Sequence, residues 1–350
     1  ELAKREDEPS RVGMVLPRLH EDIAVLQKVY DEGSWAITGP ERQGLIDRHG
    51  WYAELALRWD AEAQDEARLK VVREGRKPLM MILGVVIVGL GLGLIGLTMV
   101  ITLAVRASQG QMRPAFRAPA PGGSVYLEIF AAFLVAFLLL QFVQVIVVSL
   151  MGTKSMGLAA ALQWSLLGVA AWPLLRGVSW ERTRTDLGLT SGGGVLKEVG
   201  CGVLGYIATI PALMLSFVVV LGLVKLVENT TGAAPAPNNP VMEQVSSGGV
   251  MTVVLLFTLA AIWAPLCEEI VFRGALFRHV RSRVIWPIAA LLTAVIFAFM
   301  HSYGPIFTPP LIVLGFSFAW MREWRGSLIA PMTMHFIHNS ALITLVLAMR

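Results

Sequence analysis

Long runs without a charged residue constrain the fold of this sequence most. An α-helix needs roughly 20 apolar residues to cross a bilayer core about 30 Å thick. Eight uncharged runs predict an all-α polytopic membrane protein with about eight transmembrane helices: Leu79–Val105, Ile129–Gly152, Ser155–Leu175, Val199–Val224, Gln244–Cys267, Val284–Met300, Pro309–Met321 and Ser327–Met349. The seventh run, about 13 residues at 1.5 Å each, crosses only part of the bilayer. The first begins too late and is too long for a secretory signal peptide, so none is expected.

Charge is concentrated near the start of the chain. Residues 1–78 contain 13 Lys or Arg and 16 Asp or Glu, whereas residues 79–350 contain 16 and 9. The whole chain is 15% charged, against about 25% in a soluble domain. We therefore expect a charged extramembrane tail over residues 1–78 and a lipid-embedded body after it. The basic residues of the body are scattered in loops rather than forming a stripe, so no nucleic-acid partner is expected.

The tail contains two helical patterns, Glu21–Tyr30 and Glu41–Arg76, the second interrupted near Gly50. Thr38-Gly39-Pro40 is typical of a turn between them. A small helical hairpin at the membrane surface is predicted. Two interpretations stay open: a solvated lead-in without a function of its own, or a docking surface for a protein partner through residues 1–78.

Arginine clusters follow the first, third, fifth and seventh runs, which places those loops in the cytoplasm by the positive-inside rule. A further basic cluster, between Arg68 and Lys77, precedes the first run. The two sets of charges conflict if the first run crosses once. Either that run is re-entrant or one cluster breaks the rule, so the side of the tail stays open.

Polar residues inside the apolar body fall into three sets with a spacing of four. They are Glu268-Glu269-x-x-x-Arg273, Phe297-x-x-x-His301 and His335-x-x-x-Asn339. This spacing places the two residues that are four apart in each set on one helical face, with Glu269 and Arg273 as the pair in the first set. Ionisable residues within a membrane cost roughly 2.5–3.5 kcal/mol on insertion scales, so they are candidates for function.

Hairpin geometry predicts that two of these sets meet. With a turn near Arg283, Glu268 and His301 both lie roughly 22–26 Å from the turn, on adjacent antiparallel helices. A carboxylate beside an imidazole can hold and deprotonate a water, and a second imidazole with a carboxamide can stabilise an oxyanion. This group is suited to adding water to an amide or ester carbonyl. Glu269 and Arg273 fit a structural ion pair and a catalytic role equally well.

Three segments resemble the signature motifs of a known family. EEIVFR at 268–273, FAFMH at 297–301 and HFIHN at 335–339 match EExxxR, FxxxH and HxxxN in order, and DLGL at 186–189 is similar to the lead-in. They resemble the CPBP family of CAAX proteases and bacteriocin-processing (Abi) proteins, related to the type II CAAX prenyl endopeptidase. The resemblance covers about residues 180–345. It implies a CPBP-like catalytic transmembrane core over 176–350. The N-terminal transmembrane helices over 79–175 are expected from their apolar runs alone, and neither they nor the tail are explained by the resemblance.

The resemblance implies an intramembrane endopeptidase that cleaves near the membrane surface. In it, Glu268 and His301 position the attacking water, while His335 and Asn339 form the oxyanion hole. Glu269 and Arg273 support the site, and Phe297 packs beneath His301.

No cofactor is required by this account. Zinc is the alternative, with Glu268, His301 and His335 as its ligands.

Membrane lipid and a peptide or protein substrate, prenylated or not, are the expected partners, and a multi-pass bacterial inner (plasma) membrane protein is the expected location. A non-catalytic scaffold or immunity protein that binds a partner is the alternative function. A transporter lacks support, because no inverted repeat is evident.

Overall fold

The computed structural model describes residues 16–62, 64–151, 156–235, 244–245, 249–301 and 303–348. Within these ranges the chain is helical and has no β-strand. The all-α class predicted from the sequence is confirmed. Residues 1–15 of the predicted tail and positions 152, 155, 246–248 and 349 of the predicted apolar runs lie outside these ranges.

The described residues form thirteen α-helical segments. In chain order they are α1 (Leu16–Glu32), α2 (Gly39–His49), α3 (Trp51–Ala56), α4 (Glu66–Ser108), α5 (Val125–Met151), α6 (Met156–Trp164), α7 (Trp172–Leu175), α8 (Trp180–Leu187), α9 (Val195–Thr231), α10 (Val250–Arg281), α11 (Trp286–Phe299), α12 (Pro309–Arg325) and α13 (Ile329–Ala348). A 3₁₀ stretch, Ser165–Ala171, joins α6 to α7.

Six helical segments of the described chain are long and apolar enough to cross a membrane. They are Glu66–Ser108, Val125–Val147, Gly157–Leu175, Val195–Thr231, Val250–Arg281 and Ile329–Ala348. The other two predicted runs form shorter helices, α11 with 14 residues and α12 with 17. α12 is less apolar at its end, where Arg322, Glu323 and Arg325 lie. The polytopic architecture is thus confirmed, and the predicted eight spans divide into six long and two short helices.

The chain forms two compact units, one up to Val88 and one from Gly89 onward. In the first unit, α1, α2 and α3 share a small core that includes Val29, Leu45 and Leu57. α2 begins with a capping box, in which Thr38 and Glu41 exchange hydrogen bonds at the N-terminus. The second helical pattern of the tail is divided between α2, α3 and the start of α4, with the first break at Gly50.

A buried carboxylate joins two helices of the first unit. Asp22 of α1 accepts hydrogen bonds from Arg48 Nε at 2.9 Å and contacts His49 Nε2 at 2.9 Å. Burial raises the pKa of Asp22, but its hydrogen bonds with Arg48 and His49 outweigh that effect and hold the pKa below its usual value. Ionised Asp22 therefore stabilises the packing of α1 on α2.

α10 carries the first site motif and departs from α-helical geometry twice. Residues Thr258–Trp263 and Ile270–Leu276 are π-helical, and Ala264–Glu269 between them is α-helical. A π segment widens the helix, frees backbone groups and is frequent at functional sites. Glu268 and Glu269 therefore lie at the end of the α-helical segment, directly before the second π-helical segment.

Candidate active site

Three helices bring the predicted site residues together in the second unit. The Oε2 atom of Glu268, on α10, lies 4.0 Å from Nε2 of His301, just after α11, and 4.0 Å from Nε2 of His335, on α13. The Glu268 and His301 side chains are 17% and 26% exposed, whereas that of His335 is 4% exposed. Glu268 Oε2 is buried and has no hydrogen-bond partner. The predicted juxtaposition of Glu268 and His301 is therefore present in the structure.

Glu269, next to Glu268 on α10, links α10 to α13 through its carboxylate. Its Oε1 atom accepts hydrogen bonds from Arg273 Nη1 and from His335 Nδ1, both at 2.9 Å. Both members of the Glu269–Arg273 pair are almost fully buried. Arg273 also donates from Nη2 to the Gly315 carbonyl of α12 at 3.2 Å. The ion pair thus balances a buried carboxylate and, through the same oxygen, orients the His335 ring.

His301 and His335 each use Nδ1 for a hydrogen bond within the protein, so that Nε2 of each ring can bind a ligand in the site. His301 Nδ1 lies 2.8 Å from the Phe297 carbonyl oxygen, which can only accept. Nδ1 of His301 therefore carries a hydrogen, and Nδ1 of His335 donates to Glu269 in the same way. Each Nε2 then faces Glu268, as a lone pair in a neutral ring or as a donor in a charged one.

Aromatic rings enclose the charged pair. The Arg273 guanidinium lies 4.4 Å from the centre of the Phe297 ring and 5.1 Å from that of Phe318. Phe297 also contacts the His301 ring, with centroids 4.6 Å apart, and Phe318 stacks on His335 at 5.2 Å. Phe318 carries no signal in the sequence, because α12 has no motif and only its packing against α13 places the ring here.

Asn339 lies on α13 one turn after His335, and its side chain bonds to the backbone of α10. Its Nδ2 atom donates to the Ala260 carbonyl at 2.7 Å. In the π register the Ala264 N–H donates to Leu259, five residues back, and the next donor in that register would be Pro265. Proline has no N–H, so the Ala260 carbonyl is free to accept from Asn339. One of the two Nδ2 hydrogens of Asn339 is thereby used, and the other stays available to a ligand.

The donor types at Glu268, His301 and His335 are those that zinc prefers, but their spacing is wide. Zinc ligands at about 2.0–2.1 Å from a tetrahedral ion lie about 3.3–3.4 Å from one another, compared with 4.0 Å from Glu268 Oε2 to either Nε2. Among the described residues, no three His, Cys, Asp or Glu side chains are arranged to hold a metal ion. In this structure the three groups are therefore farther apart than the ligands of a bound zinc ion.

Arg322 of α12 supports the back of the site. It is 1% exposed and donates to three backbone carbonyls, those of Arg273, Asp186 and Gly326. Gly188 leaves room for it: φ there is +82°, and a Cβ atom would lie 2.5 Å from the guanidinium carbon of Arg322. The DLGL segment, set apart in the sequence as a lead-in, also packs against the helix that carries the glutamates, because Leu187 shares a buried cluster with Ile270 and Ala275 of α10.

Comparison with known proteins agrees with the motifs. Residues 250–341 match the family model described as Type II CAAX prenyl endopeptidase Rce1-like. This range contains Phe297 and the six residues predicted for the site, and the predicted resemblance is confirmed.

A curated relative matches a segment of similar length. An uncharacterized 24.3 kDa protein from Escherichia coli is 32% identical over 108 residues, which are 29% of this chain and 50% of the relative. The chain thus spans half the length of the relative it matches. No solved structure matches the chain.

Proposed function

We propose, with the Rce1-like segment as the premise, that the protein is an intramembrane endopeptidase that hydrolyses a peptide bond near the membrane surface. The convergence of Glu268, His301 and His335 carries the proposal. Their facing atoms, 4.0 Å apart, leave a position at which a water could be held between carboxylate and imidazole. Such a water is the nucleophile that amide hydrolysis requires.

In this mechanism Glu268 accepts a proton from the water as its oxygen attacks the carbonyl carbon. His301, fixed by its bond to the Phe297 carbonyl, holds the water in line. The protonated Glu268 then delivers the proton to the leaving nitrogen as the C–N bond breaks.

The carbonyl oxygen becomes an oxyanion, for which His335 Nε2 and Asn339 are the proposed donors. His335 donates from Nε2 in the state in which both ring nitrogens carry a hydrogen, while Nδ1 donates to Glu269. Glu269 and Arg273 act by orienting His335.

The test compares Glu268→Gln and His335→Gln with the wild-type chain in proteoliposomes. The probes are a farnesylated peptide ending in a CAAX sequence and the same peptide without its lipid, with cleavage followed by mass spectrometry. Glu181→Gln is the matched control, since Glu181 is an exposed residue of α8 away from the site. We expect turnover to fall at least about 10²-fold in both site variants, as for loss of a general base or an oxyanion donor. Wild-type turnover in Glu268→Gln would contradict the mechanism.

We propose that the reaction needs no metal, because the side chains alone provide a base and oxyanion donors. Dialysis against a strong chelator should leave turnover unchanged. Loss of activity on chelation with recovery on adding zinc would favour the alternative, with Glu268, His301 and His335 as ligands.

The comparisons support finer proposals on substrate and location. The CAAX-type family supports a prenylated C-terminus as one substrate class, which the paired probes distinguish from an unmodified peptide. We also propose a multi-pass location in a bacterial plasma membrane, for which the support is the membrane-spanning helices and a relative that comes from a bacterium.

A partner-binding scaffold is the second candidate. It is favoured by two large aromatic side chains on the surface of the first unit, Trp35 and Tyr52, which are 80% and 76% exposed. A Trp35→Ser/Tyr52→Ser variant should lose a co-purifying partner under this function. Biological activity that survives Glu268→Gln but not the surface variant would favour binding over hydrolysis.

A further inference from the structure

Two adjoining cavities lie in the second unit, apart from the glutamates and histidines. Their volumes are about 450 and 430 Å³, and both are lined by Leu103 of α4, Ala208 of α9, and Trp320 and Trp324 of α12. None of the residues predicted for the active site lines either cavity. The cavities therefore belong to the grooves where α4 passes α9 and α12.

The packing of α4 explains why these grooves exist. A Cβ atom on Gly96 would lie 2.2 Å from the Ile207 carbonyl, and one on Gly93 would lie 2.9 Å from the sulfur of Met214. The backbones of α4 and α9 thus meet closely at the glycines. Nearer the end of α4 the larger residues Leu103 and Arg106 line open space instead. α4 therefore contacts α9 closely at Gly93 and Gly96 and leaves a groove near Leu103 and Arg106.

The walls are mainly apolar, with an arginine at one end. The Trp320 and Trp324 rings lie parallel, with centroids 5.8 Å apart. Arg106 lies in the last turn of α4, is exposed, and makes no side-chain hydrogen bond or ion pair with any residue that the structure describes. The one carboxylate of the lining, Glu323, is already paired with Arg281 at 3.1 Å. The unneutralised charge at the cavities is therefore positive.

We propose that these cavities form a binding site for an anionic phospholipid. Its acyl chains lie in the two grooves against the paired tryptophans, and its phosphate accepts hydrogen bonds from Arg106. Hydrocarbon is the occupant that suits apolar walls between membrane-spanning helices, and an unpaired guanidinium at the end of a span selects a headgroup with net negative charge. The bound lipid fills the space between α4 and the helix that supports the active site.

The experiment measures lipid binding to delipidated full-length protein by native mass spectrometry. The probes are phosphatidylglycerol and phosphatidylcholine with the same acyl chains. Arg106→Gln removes the proposed phosphate ligand. Arg184→Gln is the matched control, because Arg184 is exposed on α8 and lines neither cavity. Thr102→Trp fills a groove from an exposed position of α4.

We expect the wild type and Arg184→Gln to prefer phosphatidylglycerol. Arg106→Gln should weaken phosphatidylglycerol binding about tenfold, as for loss of one charge-assisted hydrogen bond, and leave phosphatidylcholine unchanged. Thr102→Trp should weaken both lipids. Equal binding of the two lipids by the wild type, or an Arg106→Gln variant that binds like Arg184→Gln, would overturn the proposal. Neither outcome depends on peptidase activity.

Discussion

Arg322 offers a sharp test of how the helices around the site are held. Its guanidinium donates from Nε to the Arg273 carbonyl at 3.4 Å, from Nη2 to the Asp186 carbonyl at 3.1 Å and from Nη1 to the Gly326 carbonyl. A lysine keeps the charge, but its compact ammonium cannot reach three carbonyls on separate segments. Two buried carbonyls would then lack a partner, at about 1–3 kcal/mol each. We expect Arg322→Lys to lower the free energy of unfolding by about 2–6 kcal/mol.

The assay is equilibrium unfolding in mixed micelles by titration with SDS. Arg325→Lys is the control, because Arg325 bonds to one carboxylate, that of Glu198, at 2.6 and 2.9 Å. A lysine can still pair with Glu198, so we expect a loss of about 1 kcal/mol there. A loss at Arg322→Lys no larger than that at Arg325→Lys would refute the reasoning that the three carbonyls matter.

Three other predictions concern separate parts of the chain. The pKa of Asp22 is lowered in the folded protein by its hydrogen bonds with Arg48 and His49. The stability that ionised Asp22 contributes is therefore complete above the pKa of the unfolded chain and is lost as the pH falls through the pKa of the folded protein. Hydrogen exchange in α1 should accelerate over this acidic range in the wild type, and Asp22→Asn should remove that pH dependence. Phe318→Leu removes the ring stacked on His335, so in steady-state kinetics kcat should fall by a larger factor than KM changes. Phe318→Tyr, which keeps a ring at this position, should restore kcat. Gly96→Leu should separate α4 from α9 and lower the midpoint of thermal unfolding, whereas Gly91→Leu, in open space on α4, should not.

Much of the architecture could be predicted from local pattern. The long uncharged runs predicted the spanning helices, because a helix in lipid must be apolar over its whole length. The spacing of four in EEIVFR placed Glu269 and Arg273 on one face, and the structure pairs them. Counting residues from the turn near Arg283 predicted Glu268 level with His301, and the structure places the two side chains together even though α10 is π-helical over Ile270–Leu276.

Other features depended on contacts between segments far apart in sequence. Phe318 and Gly315 carry no motif, yet one stacks on His335 and the other accepts from Arg273. The bond from Asn339 to Ala260 arises from a π register that ends at a proline, which the run of apolar letters does not reveal.

The sequence alone determined which segments enter the membrane and which helical face carries the charged groups, because both follow from composition and from the 3.6-residue period. Only the tertiary structure decided which nitrogen of each histidine faces Glu268, since that depends on the acceptor that lies beside Nδ1. It also decided where α4 leaves space beside Arg106. Those choices are made by packing between helices, and packing depends on pairs of residues that a single helix does not contain.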